Sequence, residues 1–312
     1  MKCLAVLLLA LASPAFADGL IDNIEGFTHD PDGREIRFSG LLIGKNGRVA
    51  KLLQQDDKPP KSLDFRLDAR GRTLVPGKVQ CCLHLMDAAL AAYDRDPSLI
   101  GRPLQPRERD AAFYRYQATL LAQGITSITD IATTIVDWSV YRRAGDAGRL
   151  RVRLLGYAAG VDAMMTVAGN QPTPWLYDGR LRMAGLALPD QPPLDDARIR
   201  NQISRGAMDG FQVLVEPVDA LSTEHALAAI EEVAETYKGD RRWRLHAAYA
   251  DSARLARSGT LALPLADPAR AAFAEREIGT LIPGARADFR IEEADGSLRE
   301  VWMDGARVWL AD

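Results

Sequence analysis

Strand-like runs alternate with helical runs through the middle of this sequence, and that order limits the possible folds more than any other feature. The strand-like runs are 73–85, 125–132, 151–158, 181–188, 211–218, 242–249 and 260–265. The helical runs are 107–123, 134–147, 194–208, 222–237 and a short 268–275. Such alternation predicts an α/β fold, a parallel sheet or barrel with helices outside it. Only seven strand-like runs are found, so a TIM-like barrel built from them would be incomplete.

The two ends of the chain have a different pattern, typical of antiparallel strands. Asn46-Gly47 separates two apolar runs, and Asp304-Gly305 does the same near the C-terminus. Both dipeptides favour hairpins because their residues tolerate positive φ. Pro-Gly segments at 76–77 and 283–284 border the middle. We therefore predict that 18–75 and 278–312 form one small β domain and that 76–277 form the parallel sheet or barrel.

Some local features follow from the same pattern. Residues 86–106 are rich in Pro, Asp and Arg and should be a loop, as should the polar segment around His29. Ser222 is expected to cap the helix 222–237, and Asp267 the helix that starts at Pro268. The sequence therefore predicts two helix starts and two loops.

The first 17 residues have the three parts of a secretory signal peptide. Lys2 supplies a positive start, 4–12 is apolar, and Ala15-Phe16-Ala17 is a small-residue cleavage site. A buried N-terminal helix is the alternative. No other stretch approaches the ~18 apolar residues of a membrane helix. We expect a mature chain that begins at Asp18, lies in the periplasm or is secreted, and has no membrane span.

Charge and cysteine content limit the classes of partner and the interactions that can stabilise the fold. The full chain has a formal net charge of −3, and its acidic and basic residues are interspersed. Neither a nucleic acid nor an anionic membrane is indicated as a partner. Once the signal peptide is removed, Cys81 and Cys82 are the remaining cysteines. A disulfide between neighbours must distort the peptide that joins them, so we predict no disulfide framework and a fold held by its core.

Four segments, in order along the chain, carry a resemblance to a known family. The segment 67–77, Leu-Asp-Ala-Arg-Gly-Arg-Thr-Leu-Val-Pro-Gly, resembles the approach to the first barrel strand of the amidohydrolase superfamily, best its amidohydrolase 3 branch. The segments 123–130, 175–182 and 278–289 resemble later parts of that family. The resemblance implies a (β/α) barrel with a β-sandwich from both chain ends. It also implies a metal-activated water that attacks a C–N or C–O bond, with ligands at the carboxyl ends of the strands.

The first-strand ligands that the resemblance implies are only partly present. The family's His-x-His aligns with Cys82-Leu83-His84, so only His84 matches. The aspartate that precedes this pair in the family aligns with Gln80. The family's fourth-strand lysine, which bridges two metals in some members, aligns with Ala187. Alanine has no donor atom, so the bridging ligand is lost.

The later ligands are also altered. Glu216 stands where the fifth strand of the family carries a histidine, and His246 matches the sixth-strand histidine with a gap of one residue. No final-strand aspartate can be assigned, since Asp267 is better explained as a helix cap. The chain is short for this branch, and the inserts that build much of the family's pocket are largely missing.

The surviving residues allow a metal hypothesis and a plainer one. Cys82, His84, Glu216 and His246 could together bind one divalent metal, zinc by preference, because Cys, His and Glu are all zinc ligands. Alternatively, Cys82 is a small buried residue, Glu216 before Pro217 marks the end of a strand, and His84 is a hydrogen-bonded core histidine.

Two functions remain open from the sequence. The first is an exported metal-dependent hydrolase of non-peptide C–N bonds in small molecules, with weak or lost activity. The second is a non-catalytic pseudoenzyme that keeps the fold as a binding or structural module. The sequence names no substrate and carries no signal for an oligomeric state.

Overall fold

The computed structural model describes residues 18–94, 96, 98, 101–189, 196–246, 251–263 and 267–312. The predicted signal peptide, 1–17, lies outside these residues. The strands are β1 (Gly19–His29), β2 (Glu35–Ile43), β3 (Val49–Leu53), β4 (Phe65–Pro76), β5 (Lys78–Leu83), β6 (Ile125–Thr133), β7 (Arg153–Ala159), β8 (Leu181–Pro189), β9 (Gln212–Glu216), β10 (Arg244–His246), β11 (Leu261–Leu263), β12 (Phe289–Glu292), β13 (Leu298–Met303) and β14 (Ala306–Leu310). The helices are α1 (Leu85–Ala91), α2 (Pro106–Ala122), α3 (Ile135–Asp146), α4 (Gly160–Val167), α5 (Asp196–Met208), α6 (Ala220–Thr236), α7 (Ser252–Ser258) and α8 (Pro268–Ala271).

Seven strands form a curled parallel half-barrel in the order β11-β10-β9-β8-β7-β6-β5. Each strand pairs in parallel with the next one along the chain, because a helix lies in most of the connections between them. Each of the seven predicted strand-like runs overlaps one of these strands. In the described part of the chain β5 and β11 are the two edges of this sheet, and α8 packs against β5. The predicted incomplete barrel is confirmed.

The half-barrel has an apolar outer face and a mixed interior. Helices cover the outer face, where a large core includes Phe113, Tyr141, Leu186 and Ile230, all 1% exposed or less. A smaller apolar cluster occupies the interior: Ile131, Leu155, Tyr157, Ala187 and Leu214. Polar and charged side chains such as Arg153 and Arg244 are buried beside this cluster, so the interior is the candidate location of a site.

Strands from both chain ends form the second sheet, in the order β14-β13-β12-β4-β1-β2-β3. β4 lies between the N-terminal strand β1, in parallel, and the C-terminal strand β12, antiparallel. The sheet encloses its own core, in which the Trp302 ring stacks on Phe65 at 6.0 Å and on Phe289 at 5.4 Å. The small β unit assembled from both ends is therefore confirmed; we call it the β domain.

The two predicted hairpins are present, with different turns. Asp304 and Gly305 have φ of 50° and 75°, as a two-residue turn with positive φ at both positions requires. Between β2 and β3, only Gly47 has a positive φ, 70°, and the loop covers the five residues 44–48. A Cβ on Gly47 would lie 2.8 Å from the carbonyl oxygen of Asp304, so glycine is also needed for the approach of the two turns.

Several local predictions need correction. The segment 86–106, expected to be a loop, contains most of α1, and His29 ends β1 instead of lying in a loop. The N-cap of α6 is Asp219, whose carboxylate accepts a hydrogen bond from the Ser222 backbone N–H; Ser222 is the reciprocal member of a capping box. Asp267 does cap α8, as predicted. None of the helices within the described ranges is both long and apolar enough to cross a bilayer.

Candidate functional site

The carboxyl ends of the half-barrel strands bring two of the predicted ligands together. His84 directly follows β5 and starts α1, and Glu216 ends β9. The Nε2 atom of His84 lies 3.5 Å from Oε1 of Glu216, with side-chain exposures of 46% and 22%. Two ligands of a tetrahedral zinc ion stand about 3.3 Å apart, given zinc bonds of ~2.0–2.1 Å. The pair therefore has the spacing of two corners of a zinc site.

Cys82 is placed differently from the sequence prediction, because it is joined to Cys81 by a disulfide. The parallel register of β5 with β6 breaks between Gln80 and Leu83, and Cys82 has φ of 64°. The regular alternation of side chains along a strand therefore does not relate the side chain of Cys82 to that of His84. The bond links neighbours and closes no long loop, so the fold still depends on its core. A sulfur in a disulfide is not a thiolate, the form in which cysteine binds metals.

His246 ends β10 and is exposed, with its backbone in register with Leu263 of β11. Among the residues that the structure describes, no group of three or more His, Cys, Asp or Glu side chains could hold a metal ion. Structural zinc sites use four protein ligands and catalytic ones three. His84 and Glu216 thus supply two of the four ligands of a structural zinc site. The four-residue metal site stays a prediction.

Ala187 occupies the interior position at which the resemblance expects a lysine. Its side chain is fully buried and belongs to the apolar cluster with Tyr157 and Leu214. A long cationic side chain in this place would displace packed apolar atoms and would leave a charge without solvent. The bridging ligand is therefore lost, and apolar side chains packed around Ala187 fill the space that it would occupy.

An arginine that the sequence analysis did not single out lies deeper in the interior. Arg244 begins β10, is fully buried, and its guanidinium carbon lies 4.8 Å from the centre of the Tyr157 ring. Its Nη1 contacts Sγ of Cys81 at 3.7 Å, so a side chain of β10 meets one of β5 across the interior. Within the described residues its Nε and Nη2 atoms have no hydrogen-bond partner. Burial lowers the pKa of Arg244.

The neighbours of Arg244 are neutral, and they are paired with each other. The Tyr157 hydroxyl donates a hydrogen bond to Oε1 of Gln212, and burial raises the pKa of Tyr157 to about 12. The Gln212 amide donates to the backbone carbonyl of Ala271 at 2.7 Å. Strand periodicity could have found Arg244, because it stands two residues before His246 and so shares its face of β10.

A buried carboxyl group joins β6 to the two helices beside it. Asp130 accepts hydrogen bonds from the backbone N–H of Leu85 at 2.9 Å, from the Thr133 hydroxyl at 2.7 Å and from the Tyr141 hydroxyl at 2.8 Å. Burial raises its pKa to about 6, although these hydrogen bonds act in the opposite direction. These three partners belong to the strand and the adjoining helices, so Asp130 positions the start of α1, directly after His84.

The opposite end of the interior holds a network of buried charges. Arg153 of β7 lies 3.0 Å from both Asp288 and Asp304, and these three side chains are at most 3% exposed. Arg180 and Arg286 also contact Asp304, each at 3.0 Å. Burial raises the pKa of Asp304, but the three arginines outweigh it and hold this pKa below its usual value. The network fastens the half-barrel to the β domain.

The fold is shared with solved metal-dependent hydrolases. An uncharacterized metal-dependent hydrolase from Pyrococcus furiosus has a TM-score of 0.69 and 13% identity, over 89% of this chain and 99% of that one. A mutant atrazine chlorohydrolase TrzN from Arthrobacter aurescens TC1, complexed with zinc and atraton, has a TM-score of 0.66 and 14% identity, over 93% and 95%. A Xaa-Pro dipeptidase with bound methionine has a TM-score of 0.65 and 10% identity, over 94% and 100%.

The fold that the resemblance implies is therefore confirmed, since these solved hydrolases share the architecture of this chain. Identities of this size establish the fold alone. No protein-family model matches the sequence, and no curated protein matches it.

Proposed function

We propose that this chain is an exported protein with the amidohydrolase fold in which metal-dependent hydrolysis of non-peptide C–N bonds in small molecules is weak or lost. The similarity of its fold to that of a solved metal-dependent hydrolase supports this proposal. The residues at the carboxyl ends of its strands, however, differ from the metal ligands that the resemblance implies. The alternative is a pseudoenzyme that serves only as a binding or structural module of the same fold.

The apolar surroundings of Ala187 are the observation that carries the proposal. Hydrolysis of this class needs a positioned metal, an activated water and a base, and these act as a unit. Ala187 supplies no donor, and the packed atoms of Tyr157 and Leu214 stand beside it. A site that had merely exchanged one ligand for another would keep a polar group at this position.

The pair of His84 and Glu216 supports residual metal affinity without a complete site. Their 3.5 Å spacing suits one zinc ion, and His246 is the third donor that we would assign to it. Cys82 would join only as a free thiol, since its sulfur is bonded to Cys81. Because a water-activating metal must be held firmly with one open position, two or three weakly converging donors support little turnover.

The test is metal content and turnover of the purified mature chain. After loading with zinc or manganese and dialysis, we expect less than one equivalent of metal. Turnover of amides, dipeptides and lactones should be near background, and unchanged in His84→Ala. His29→Ala is the matched control, because His29 is also exposed but ends β1 in the β domain. Robust hydrolysis that His84→Ala abolishes and His29→Ala preserves would contradict the proposal.

Export has its own test. The apolar run before Ala15-Phe16-Ala17 is the support for it. N-terminal sequencing of the protein from an extracytoplasmic fraction should give Asp18 as the first residue. A retained Met1 or Lys2 would contradict export and leave the hydrolase question untouched.

A further inference from the structure

A cavity of about 270 Å³ is lined by Leu155 of β7, Arg182 of β8 and Gln212 of β9, residues in the amino-terminal halves of these strands, whereas Glu216 ends β9. Its walls combine the apolar and aromatic side chains of Leu155, Tyr157, Ala184 and Phe273 with polar and charged residues, so the lining is mixed. A second space of about 100 Å³ shares Leu155, Arg182 and Phe273 with it, so the two are neighbouring parts of one groove. Active sites of (β/α) barrels lie at the other end.

Arg182 stands where the two spaces meet and is held in one orientation. Its Nε donates to the backbone carbonyl of Thr173 at 3.1 Å, and its guanidinium carbon lies 5.9 Å from the centre of the Trp175 ring. Within the described residues no carboxylate lies at ion-pair distance from it. Glu277 is the carboxylate that acts on it from further away, and that group already contacts Arg48 and Arg286.

The rest of the groove does not neutralise this cation. The other charged residues of the first space are Arg241 and Asp240, and the Asp240 carboxylate accepts a hydrogen bond from Arg242 at 2.9 Å. The Gln212 side chain is also occupied, because its amide donates to the carbonyls of Arg242 and Ala271 and its oxygen accepts from Tyr157. Among the residues that the structure describes, the terminal nitrogens of the Arg182 guanidinium therefore donate to no other group.

We propose that this groove is a binding site for a small organic carboxylate, whose charge pairs with Arg182 and whose flat apolar body lies against Leu155, Ala184 and Phe273. A guanidinium fixed at Nε presents a terminal donor pair that matches the two oxygens of a carboxylate. One such group suits a carboxylate better than a phosphate, whose oxygens need more donors. The volume is below that of most drug-sized pockets, so the ligand is small.

Benzoate is the probe, and benzamide is its uncharged counterpart of the same shape. Calorimetric titration of the mature chain, with a chelator present, should show benzoate binding at millimolar or lower concentration. Benzamide should bind at least about tenfold more weakly, because it lacks the charge-assisted hydrogen bonds. The chelator separates this test from the proposed metal chemistry, so either result can fail without the other.

Three variants locate the site. Arg182→Met should weaken benzoate binding by about tenfold or more, since it removes the charge and keeps the aliphatic stem. Ala184→Leu should abolish binding by filling the groove without a change in charge. Arg200→Met is the control, because Arg200 is an exposed arginine that pairs with Glu232 on the outer helices.

The proposal is overturned by benzoate that does not bind at millimolar concentration, or that binds no better than benzamide. It is also overturned if either Arg182→Met or Ala184→Leu, shown to be folded by circular dichroism, binds benzoate like the wild type. Should Arg182→Met fail to fold, Ala184→Leu and the pair of probes still decide the question. Loss of binding in Arg200→Met as well would assign benzoate to another surface.

Discussion

The two ends of the half-barrel interior carry similar residue types but use them differently. At the amino end Arg153, Asp288 and Asp304 are buried and in contact, and they join the half-barrel to the β domain. At the carboxyl end His84 and Glu216 are partly exposed and 3.5 Å apart. The buried ion pairs that hold the fold together are therefore complete, whereas the set of metal ligands expected for hydrolysis is incomplete.

The largest effect should come from removing one charge at the amino end. Asp304→Asn keeps a side chain that tolerates the positive φ of this turn but leaves three arginines without their shared carboxylate. We expect the free energy of unfolding to fall by about 3–5 kcal/mol, the usual cost of breaking a buried ion pair. Urea unfolding of the mature chain measures it.

Asp295→Asn is the control for that change. Asp295 also precedes a glycine in a hairpin turn of the β domain, but it is exposed and its carboxylate accepts from Ser297. Its replacement should change the unfolding free energy by no more than about 0.5 kcal/mol. Equal effects of the two changes would show that the buried network does not fasten the two units.

The contributions of Asp130 and Asp304 to stability should depend on pH in opposite directions. Its folded pKa of about 6 is above the ordinary 3.8, so the folded protein binds the proton more tightly than the unfolded chain. This group therefore adds stability as the pH falls from 7 toward 4, by at most about 3 kcal/mol. Asp304, with its lowered pKa, acts in the opposite direction in acid.

The measurement is urea unfolding of the wild type and of Asp130→Asn at several pH values between 7 and 4. The asparagine does not titrate. The wild type should therefore gain stability relative to Asp130→Asn as the pH falls. A difference that stays constant over this range would contradict the raised pKa of Asp130.

The smallest effect is expected at the carboxyl end. His84→Gln and Glu216→Gln should each change the free energy of unfolding by less than about 0.5 kcal/mol, because partly exposed pairs contribute little. Differential scanning calorimetry of the two variants is the check. A loss comparable to that of Asp304→Asn would mean that this end also holds the fold and would remove the contrast.

The fold was largely predictable because its strands are separated by regular helical patterns. The missed helices α1, α4 and α7 have seven or eight residues, which is too short for a clear helical period. The displacement of Cys82 came from an irregular register in β5, which no spacing rule anticipates. Strand periodicity from His246 could have pointed to Arg244, whereas Arg182 required knowledge of which residues close the groove at the amino ends of the strands.

The strand orders of the two sheets also bear on how the chain folds during synthesis. Every pair in the half-barrel joins neighbours along the chain, so each new unit can add to the one before it, with little loop-closure cost. The β domain is different, because β4 must wait for β12, whose Ile291 is in register with Leu74. Until the last strands emerge, one edge of β4 stays unpaired. Newly made chains therefore have an edge of β4 open to wrong strand pairing from the completion of β4 until β12 is made, which is most of the time of their synthesis.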